Sequence, residues 1–469
     1  MRRNVMKPKV GILALTLELY ETLAPGLRQD RVRWVRRDLL PALTPVAEVL
    51  FDKPCFRREE VEGCVARMEA QGADALLVLL LTYSPSLIAL PALQRTRLPI
   101  LIWNTQQLWA VDEKFGAPEM IANHGVHGTQ DLANVLLRSG VKFEYTTSHS
   151  SDPAALEVIR DFLSASAAVN RLRRSRIGML GYPFPGMGDF GLDTTHMTAT
   201  LGCEWTQLPI EEYLLRAEKA SARDVTALVG EYRRAYAVAP NVKKTDLDAT
   251  ARVELALRGM VEERKLSALT YQFTAFGEDE RTPTVPFVAA SRLMAEGIGF
   301  GGEGDQIAAA GTSLLNWLAP PATFSEIFTI DFAGNALFMS HMGEANVAMA
   351  RKDCPTPLRA RGSAITRTRR GQLALAVSLE PGPATLFALT SGPAGKWRFV
   401  VSPMTILDYP ILDEFPCPHF KIAPAGDVRD FLTAYAKAGG PHHNALCFGD
   451  ARGRLRQAAR LLDADYFEV

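Results

Sequence analysis

The chain has 469 residues, 47% hydrophobic and 22% charged, an ordinary globular composition with room for two or three domains at roughly 100–200 residues each. Lysine plus arginine and aspartate plus glutamate both number 52, so no global basic field draws nucleic acid or a membrane surface, and a small neutral substrate is expected. No stretch approaches the roughly 18–20 apolar residues of a membrane span. Six scattered cysteines without a C-x-x-C pair fit a reduced cytoplasm better than a disulfide framework or zinc knuckle. Met1-Arg2-Arg3 opens like a signal peptide, but the apolar run at 10–16 is short and is stopped by Glu18, so a cytoplasmic protein is expected.

From residue 9 to about 180, short apolar runs alternate with helical spacing. Residues 9–15, 47–51, 75–80, 100–103 and 143–147 read as buried strands, and 29–43, 59–70, 130–139 and 153–172 as helices. Ser151-Asp152-Pro153 offers the last helix a capped start. This alternation predicts an α/β domain over residues 1–174, a doubly wound parallel sheet that binds ligands beyond the C-terminal ends of its strands. The loop containing Leu17-Glu18-Leu19-Tyr20 and the segment Asn123-His124-Gly125-Val126-His127-Gly128 are expected to line a pocket there. A basic cluster, Arg171, Arg173, Arg174 and Arg176, marks the boundary.

A second doubly wound α/β domain, residues 175–320, opens with a strand at 176–180. A segment rich in Pro and Gly follows at 182–189, too irregular for a regular element. Helices are predicted over 211–220, 222–237 and 246–263, and a strand over 267–271. Helices at 289–296 and 306–318 flank a glycine stretch, and Pro320-Pro321 ends the second of them. Beyond it the texture changes. Residues 323–332, 337–340, 372–379, 384–389 and 397–401 are short β-rich runs separated by Gly, Pro or Asn. They predict a mainly antiparallel, barrel-like domain over 321–469, with a helix at 427–438 and a strand at 445–448.

The glycine stretch Gly297-Ile298-Gly299-Phe300-Gly301-Gly302 satisfies G-x-G-x-x-G, but a dinucleotide fingerprint requires a strand before it. Leu293-Met294-Ala295-Glu296 reads as a helix end, so no nucleotide cofactor is expected. The glycines are instead expected to form a tight loop of unusual φ that presents Glu303. Taken singly, Glu303 reads as a solvated loop carboxylate and His341 as a satisfied core histidine. Glu326 lies in the apolar stretch 324–332 and needs a partner, a cation or water. Taken together with Gly439-Gly440-Pro441-His442-His443, these residues offer the mixed O/N donor set of Mn²⁺, Co²⁺ or Fe²⁺ rather than of a thiolate zinc site. If His442 and His443 are extended, their side chains point to opposite faces and only one of them reaches the ion.

These pieces resemble the L-arabinose isomerase and L-fucose isomerase superfamily, with arabinose isomerase the nearer. Leu19-Tyr20 is similar to its substrate loop, and Asn123 to Gly128 to its N-Q-x-x-H-G segment. Arg292-Leu293-Met294 with Gly299-Phe300-Gly301-Gly302-Glu303-Gly304-Asp305 resembles its R-L-M…G-F-x-G-E-G-D signature. Glu326, Gly334-Asn335, Ser340-His341-Met342 and the final histidine pair follow in the same order. The resemblance implies two α/β domains and a C-terminal β-rich domain, assembled as a hexamer with active sites between subunits. It implies Mn²⁺, with Co²⁺, Fe²⁺ or Mg²⁺ as alternatives, held by Glu303, Glu326, His341 and His443. Glu303 and Glu326 would also carry the proton in an aldose–ketose isomerisation of a small neutral sugar. Tyr20, His124, His127, Met187, Phe276 and His442 would face that sugar. Three departures concern sugar recognition: Leu17 and His124 stand where the family has glutamines, and Phe328 where it has a tyrosine. Alternative readings are a metal-dependent lyase or epimerase on a related sugar or polyol acid, and a non-catalytic sugar-binding relative.

Overall fold

A computed structural model describes residues 7–276, 281, 284–362 and 371–469; Met1-Arg2-Arg3 lies outside them. The chain forms two compact units, Met1–Asn170 and Arg171–Val469.

In the first unit, β1 (Lys9–Leu15), β2 (Glu48–Leu50), β3 (Ala75–Leu80), β4 (Ile100–Asn104) and β5 (Glu144–Thr147) build one sheet in the order β2-β1-β3-β4-β5. Every pairing in it is parallel. Each residue of β3 is buried, as expected of a strand covered on both faces, where an uninterrupted run of Leu and Val is tolerated. Helices Arg58–Ala70 and Gly125–Arg138 supply Val61, Val65, Met68, Leu132 and Leu136 to that core. The last helix begins at Pro153, and Asp152 accepts from Ala154 N at 2.9 Å, the capping read from the sequence. The strand order reverses between β1 and β3, so the loops leaving their C-terminal ends diverge and open a crevice.

The second unit contains β6 (Arg176–Leu180), β7 (Glu204–Leu208), the two-residue β8 (Ala237–Val238), β9 (Ala268–Tyr271) and β10 (Gly299–Gly301). Four of these make a second parallel sheet in the order β10-β9-β6-β7. Here one expectation is corrected in part. The expected unusual φ falls at Gly297 (88°), Glu303 (59°) and Gly304 (88°), but between them Gly299 and Gly301 belong to strand β10 rather than to a loop. They are small because the helix Gln306–Leu318 lies against them: a Cβ on Gly299 would stand 2.0 Å from Ser313 Oγ, and one on Gly301 2.2 Å from Asp305 O. The preceding element is the helix Phe287–Ala295, so the dinucleotide geometry is not formed.

The remaining strands are β11 (Ala322–Asp331), β12 (Ala336–Ser340), β13 (Pro357–Arg361), β14 (Gln372–Leu375), β15 (Gly382–Ser391), β16 (Trp397–Ile406), β17 (His419–Pro424), β18 (His443–Phe448) and β19 (Asp465–Glu468). The order β15-β18-β11-β12-β17-β16 closes on itself through a β15–β16 pairing, giving an antiparallel barrel. Strand β19 adds in parallel to β16. Strands β14, β13 and β8 form a separate small sheet. Leu337, Met339, Leu386, Val400, Phe420 and Leu446 fill the barrel core. The fold class is the expected one: two α/β parallel sheets followed by a β-barrel. Among the described residues no helix is long and apolar enough to cross a membrane.

Candidate metal centre

Strand β10 delivers its chain directly into Gly302-Glu303-Gly304-Asp305 at the C-terminal edge of the second sheet. Asp305 caps the helix Gln306–Leu318, its Oδ1 accepting from Ala308 N at 2.8 Å. This tight strand-to-helix passage puts Glu303 at φ 59°, a left-handed conformation that costs a non-glycine residue on the order of 1 kcal/mol or more. The backbone holds it there. Glu303 O accepts from Phe184 N at 2.8 Å, and Gly304 lies so close to Pro183 that a Cβ would come within 2.4 Å of its Cα.

The barrel supplies the other donors. On β11, Glu326 is paired with Ser340 of β12 and, on the other side, with His443 of β18. His341 follows β12 directly. Ligand atoms of Glu326, His341 and His443 lie within 4.8 Å of one another, and so do those of Glu303, His442 and His443. The structure therefore brings Glu303, Glu326, His341, His442 and His443 into one cluster. Phe324 packs edge-on between the rings of His341 and His443, at 4.7 and 5.0 Å.

Each buried imidazole is oriented by a carboxylate. His341 Nδ1 meets Glu344 Oε2 at 2.7 Å, and Glu344 also accepts from Gly343 N at 2.9 Å and Tyr271 Oη at 2.6 Å. His443 Nδ1 meets Asp305 Oδ2 at 2.9 Å. A proton on each Nδ1 leaves Nε2 as the lone-pair atom. Both Nε2 atoms are buried and have no hydrogen-bond partner among the described residues. Orphaned buried acceptors are costly, whereas a carboxylate behind the far nitrogen is the arrangement that orients a histidine toward a cation. The separations of Glu303 Oε2 from His442 Nε2, 3.6 Å, and from His443 Nε2, 3.7 Å, are close to those between neighbouring ligands placed about 2.1 Å from one ion. The donor set thus fits a divalent cation.

The electrostatics agree with that fit. Burial works to raise the Glu303 carboxyl, but His442 and the charges of His341 and His443 outweigh it and hold the group below its usual range. For His341, burial works against the charge, yet Glu344, with Glu326 and Glu303 behind it, raises the pKa. His442 is likewise opposed by burial and is pushed up to about 9 by Glu303 and Asp189. This concentrated negative field, which retains protons on the rings, attracts a cation equally.

For the histidine pair the condition of an extended backbone at both residues is not met. The rings of His442 and His443 do not diverge; their centroids are 4.0 Å apart. Alternation requires both residues to be in the strand, and β18 begins only at His443. His442 is held instead by Asp189, whose Oδ2 meets its Nδ1 at 2.5 Å and its backbone N at 3.1 Å. Met187 lies half-buried in the same loop as Asp189. Phe276 is fully buried and packs on Tyr213 and on Tyr271, the tyrosine that bonds Glu344.

In the first unit, Tyr20, His124 and His127 do gather at one place. Tyr20 Oη bonds His124 Nε2 at 2.8 Å, His124 meets His127 edge-on at 4.9 Å, and Tyr83 stacks on His127 at 4.7 Å. Phe328, 42% exposed, falls where the β11–β12 register shifts, between Ile327 and Thr329. Sequence reasoning assigned no role to Asp189, Phe190, Glu344 or Tyr83, nor to Asp305. Only the spacing of Glu344, three residues after His341, was visible as a signal.

Comparison with known proteins matches residues 189–320 to the family model of the L-arabinose isomerase central domain and residues 321–465 to that of its C-terminal domain. Together they cover more than half of the chain. The L-arabinose isomerase of Acidothermus cellulolyticus is 27% identical over 420 residues, 84% of this chain and 80% of the relative. That of Nocardioides sp. is 26% identical over 432 residues, 87% and 82% of the two chains. That of Geobacillus thermodenitrificans is 25% identical over 430 residues, 86% and 82%. With both family domains matched in order, and the clustered residues lying within them, the chain belongs to the L-arabinose isomerase family.

Proposed function

We propose that the protein is a divalent-metal-dependent aldose–ketose isomerase acting on a small neutral sugar, with Glu303, Glu326, His341 and His443 holding the ion. The observation that carries this reading is the pair of buried, unpartnered Nε2 atoms of His341 and His443, each backed by a carboxylate and converging with Glu326. The relatives named L-arabinose isomerase support the reaction class.

A bound divalent ion, Mn²⁺ or alternatively Co²⁺, Fe²⁺ or Mg²⁺, supplies Lewis acidity toward the sugar's carbonyl and neighbouring hydroxyl oxygens. The chain's own residues do the rest. Interconversion of an aldose and a ketose moves a proton between C1 and C2 through an ene-diol, and Glu303 and Glu326 share that traffic. The ionised state favoured for Glu303 keeps one carboxylate ready to accept. His442, at the edge of the cluster, hydrogen-bonds a sugar hydroxyl. Tyr20, His124 and His127 are assigned to the sugar as well, and Met187 to the loop beside it. The same reading carries a homo-oligomer, expected as a hexamer and measurable by light scattering.

The test is a panel of pentoses, 6-deoxyhexoses and branched tetroses incubated in D₂O with Mn²⁺-loaded protein. Ketose formation with deuterium at C1 is expected, abolished by a chelator and restored by Mn²⁺. Absence of both ketose and exchange with every sugar would overturn the reading.

A further inference from the structure

We propose that Asp189 is the positioning residue of His442, and that the Asp189–His442 pair serves the substrate side of the site rather than adding a ligand to the ion. This rests on the isomerase reading above.

Asp189 Oδ2 takes two hydrogen bonds from the same residue, one from the ring and one from the backbone of His442. The backbone bond fixes where His442 sits, and the ring bond fixes how it is turned. Because Nδ1 donates to the carboxylate, Nε2 is the atom presented to the site. It points at Glu303 Oε2 across 3.6 Å, beyond a direct hydrogen bond and a span that a single hydroxyl lying alongside bridges by contacting both.

Burial separates this pair from the two that orient ion ligands. The side chains of His341 and Glu344 are each 1% exposed, and those of His443 and Asp305 are 0% and 3%. Those of His442 and Asp189 are 31% and 37% exposed. Three histidines share one arrangement, a carboxylate behind Nδ1 and a buried Nε2 without a hydrogen-bond partner among the described residues, but only the pair of His442 and Asp189 has side chains that reach solvent.

The loop carrying Asp189 is tied to the same chemistry at two further points. Phe190 is buried and stacks on His443 at 5.7 Å and 14°, while its ring lies 5.8 Å from that of His442. Phe184, in the same loop, donates its backbone N–H to Glu303 O. The loop after β6 therefore steadies the ion ligand His443 through a ring, and the substrate-facing His442 through a charge.

The experiment compares wild type with Asp189→Ala and Asp189→Asn, measuring kcat and KM on the sugar turned over and Mn²⁺ affinity by titration. Losing a supporting carboxylate of this kind typically costs about 10–100-fold, so Asp189→Ala is expected to lower kcat/KM by that factor while Mn²⁺ affinity stays within about threefold. Asp189→Asn, which keeps an acceptor, recovers part of the loss and shows that the effect is not misfolding. Mn²⁺ affinity falling in step with activity would make His442 an ion ligand and overturn the proposal, as would unchanged kcat/KM in Asp189→Ala. Binding of arabitol, a polyol that does not react, to the Mn²⁺-loaded protein reads the same positioning without turnover. Weakening by about tenfold in Asp189→Ala supports it, and equal binding overturns it. A wild-type protein inactive on every sugar would sink the isomerase reading alone.

Discussion

Glu326 and His443 stand directly opposite each other in the antiparallel pair β11–β18. Facing residues in such a pair are near enough to act on one small object. A slip of β18 by one residue would turn His443 to the face away from Glu326, so closure of the barrel fixes this half of the cluster.

Replacing Glu326 by Gln keeps the shape and removes the charge. Turnover at saturating sugar and Mn²⁺ is expected to fall by about 100-fold or more, the scale of lost general acid–base catalysis. The measurement is kcat with bound ion confirmed by elemental analysis. Near-normal turnover would remove Glu326 from the proton path.

Much of this fold was legible from the sequence where one kind of signal sufficed. The strands Lys9–Leu15, Ala75–Leu80 and Arg176–Leu180 are short apolar runs with clear flanks, and they fold at the expected bounds. Strand β7 was missed because Glu204–Leu208 is edge-like and mostly unburied, with only Leu208 buried, so it lacks an apolar run. Strand β10 was missed because glycine disfavours strands, and its need for glycine comes from a helix packed against it. Glu303, Glu326, His341 and His443 could be named in advance as polar residues in unusual company. Asp189 and Glu344 act only through what the fold lays beside them; the spacing of Glu344 from His341 is the one local sign, and Asp189 has none.

Gly302 is the glycine on which the centre depends. A Cβ there would lie 2.6 Å from His341 Nε2 and 3.0 Å from Phe324 Cζ, so the ligand atom itself would have to give way. Gly302→Ala is expected to weaken Mn²⁺ binding by about tenfold or more, the scale of disturbed metal-site support. Overpacking should lower stability by about 1–3 kcal/mol. Gly426→Ala, with nothing within 4 Å of its added Cβ, is the control. Equal Mn²⁺ affinity in both variants would refute the steric argument.

The barrel should also carry an acid-sensitive histidine outside the candidate ligand set. His419 is fully buried; its Nδ1 meets Cys417 O at 2.8 Å, and its Nε2 accepts from Leu412 N at 2.8 Å. Burial, assisted by Arg359, lowers its pKa below the ordinary 6.5. The unfolded chain therefore takes up this proton at higher pH than the folded one. The stability contribution is complete above 6.5 and is lost as pH falls through the depressed folded value. In the ion-free protein the raised pKa values of His341 and His442 act in the opposite sense, so a difference measurement is needed. Between pH 7.5 and 5.5, Tm should fall more steeply in wild type than in His419→Gln. Parallel slopes would show that His419 does not titrate against folding.

The last expectation concerns sugar choice. His124 stands where the family segment carries glutamine, and its Nε2 is already engaged by Tyr20 Oη at 2.8 Å. Burial, with His127 nearby, lowers its pKa, which favours a neutral ring with one donor and one acceptor. A carboxamide offers two donors and an acceptor in a different plane, so the hydroxyl pattern it recognises differs. A group that bonds a sugar hydroxyl discriminates strongly against a sugar lacking that match. His124→Gln should therefore shift the ratio of kcat/KM values between sugars of different hydroxyl pattern by about tenfold or more. Kinetics on the same panel of sugars measure this ratio directly. An unchanged ranking with full activity would show that Tyr20 and His124 bond to each other for structure alone, and that preference is set elsewhere in the chain.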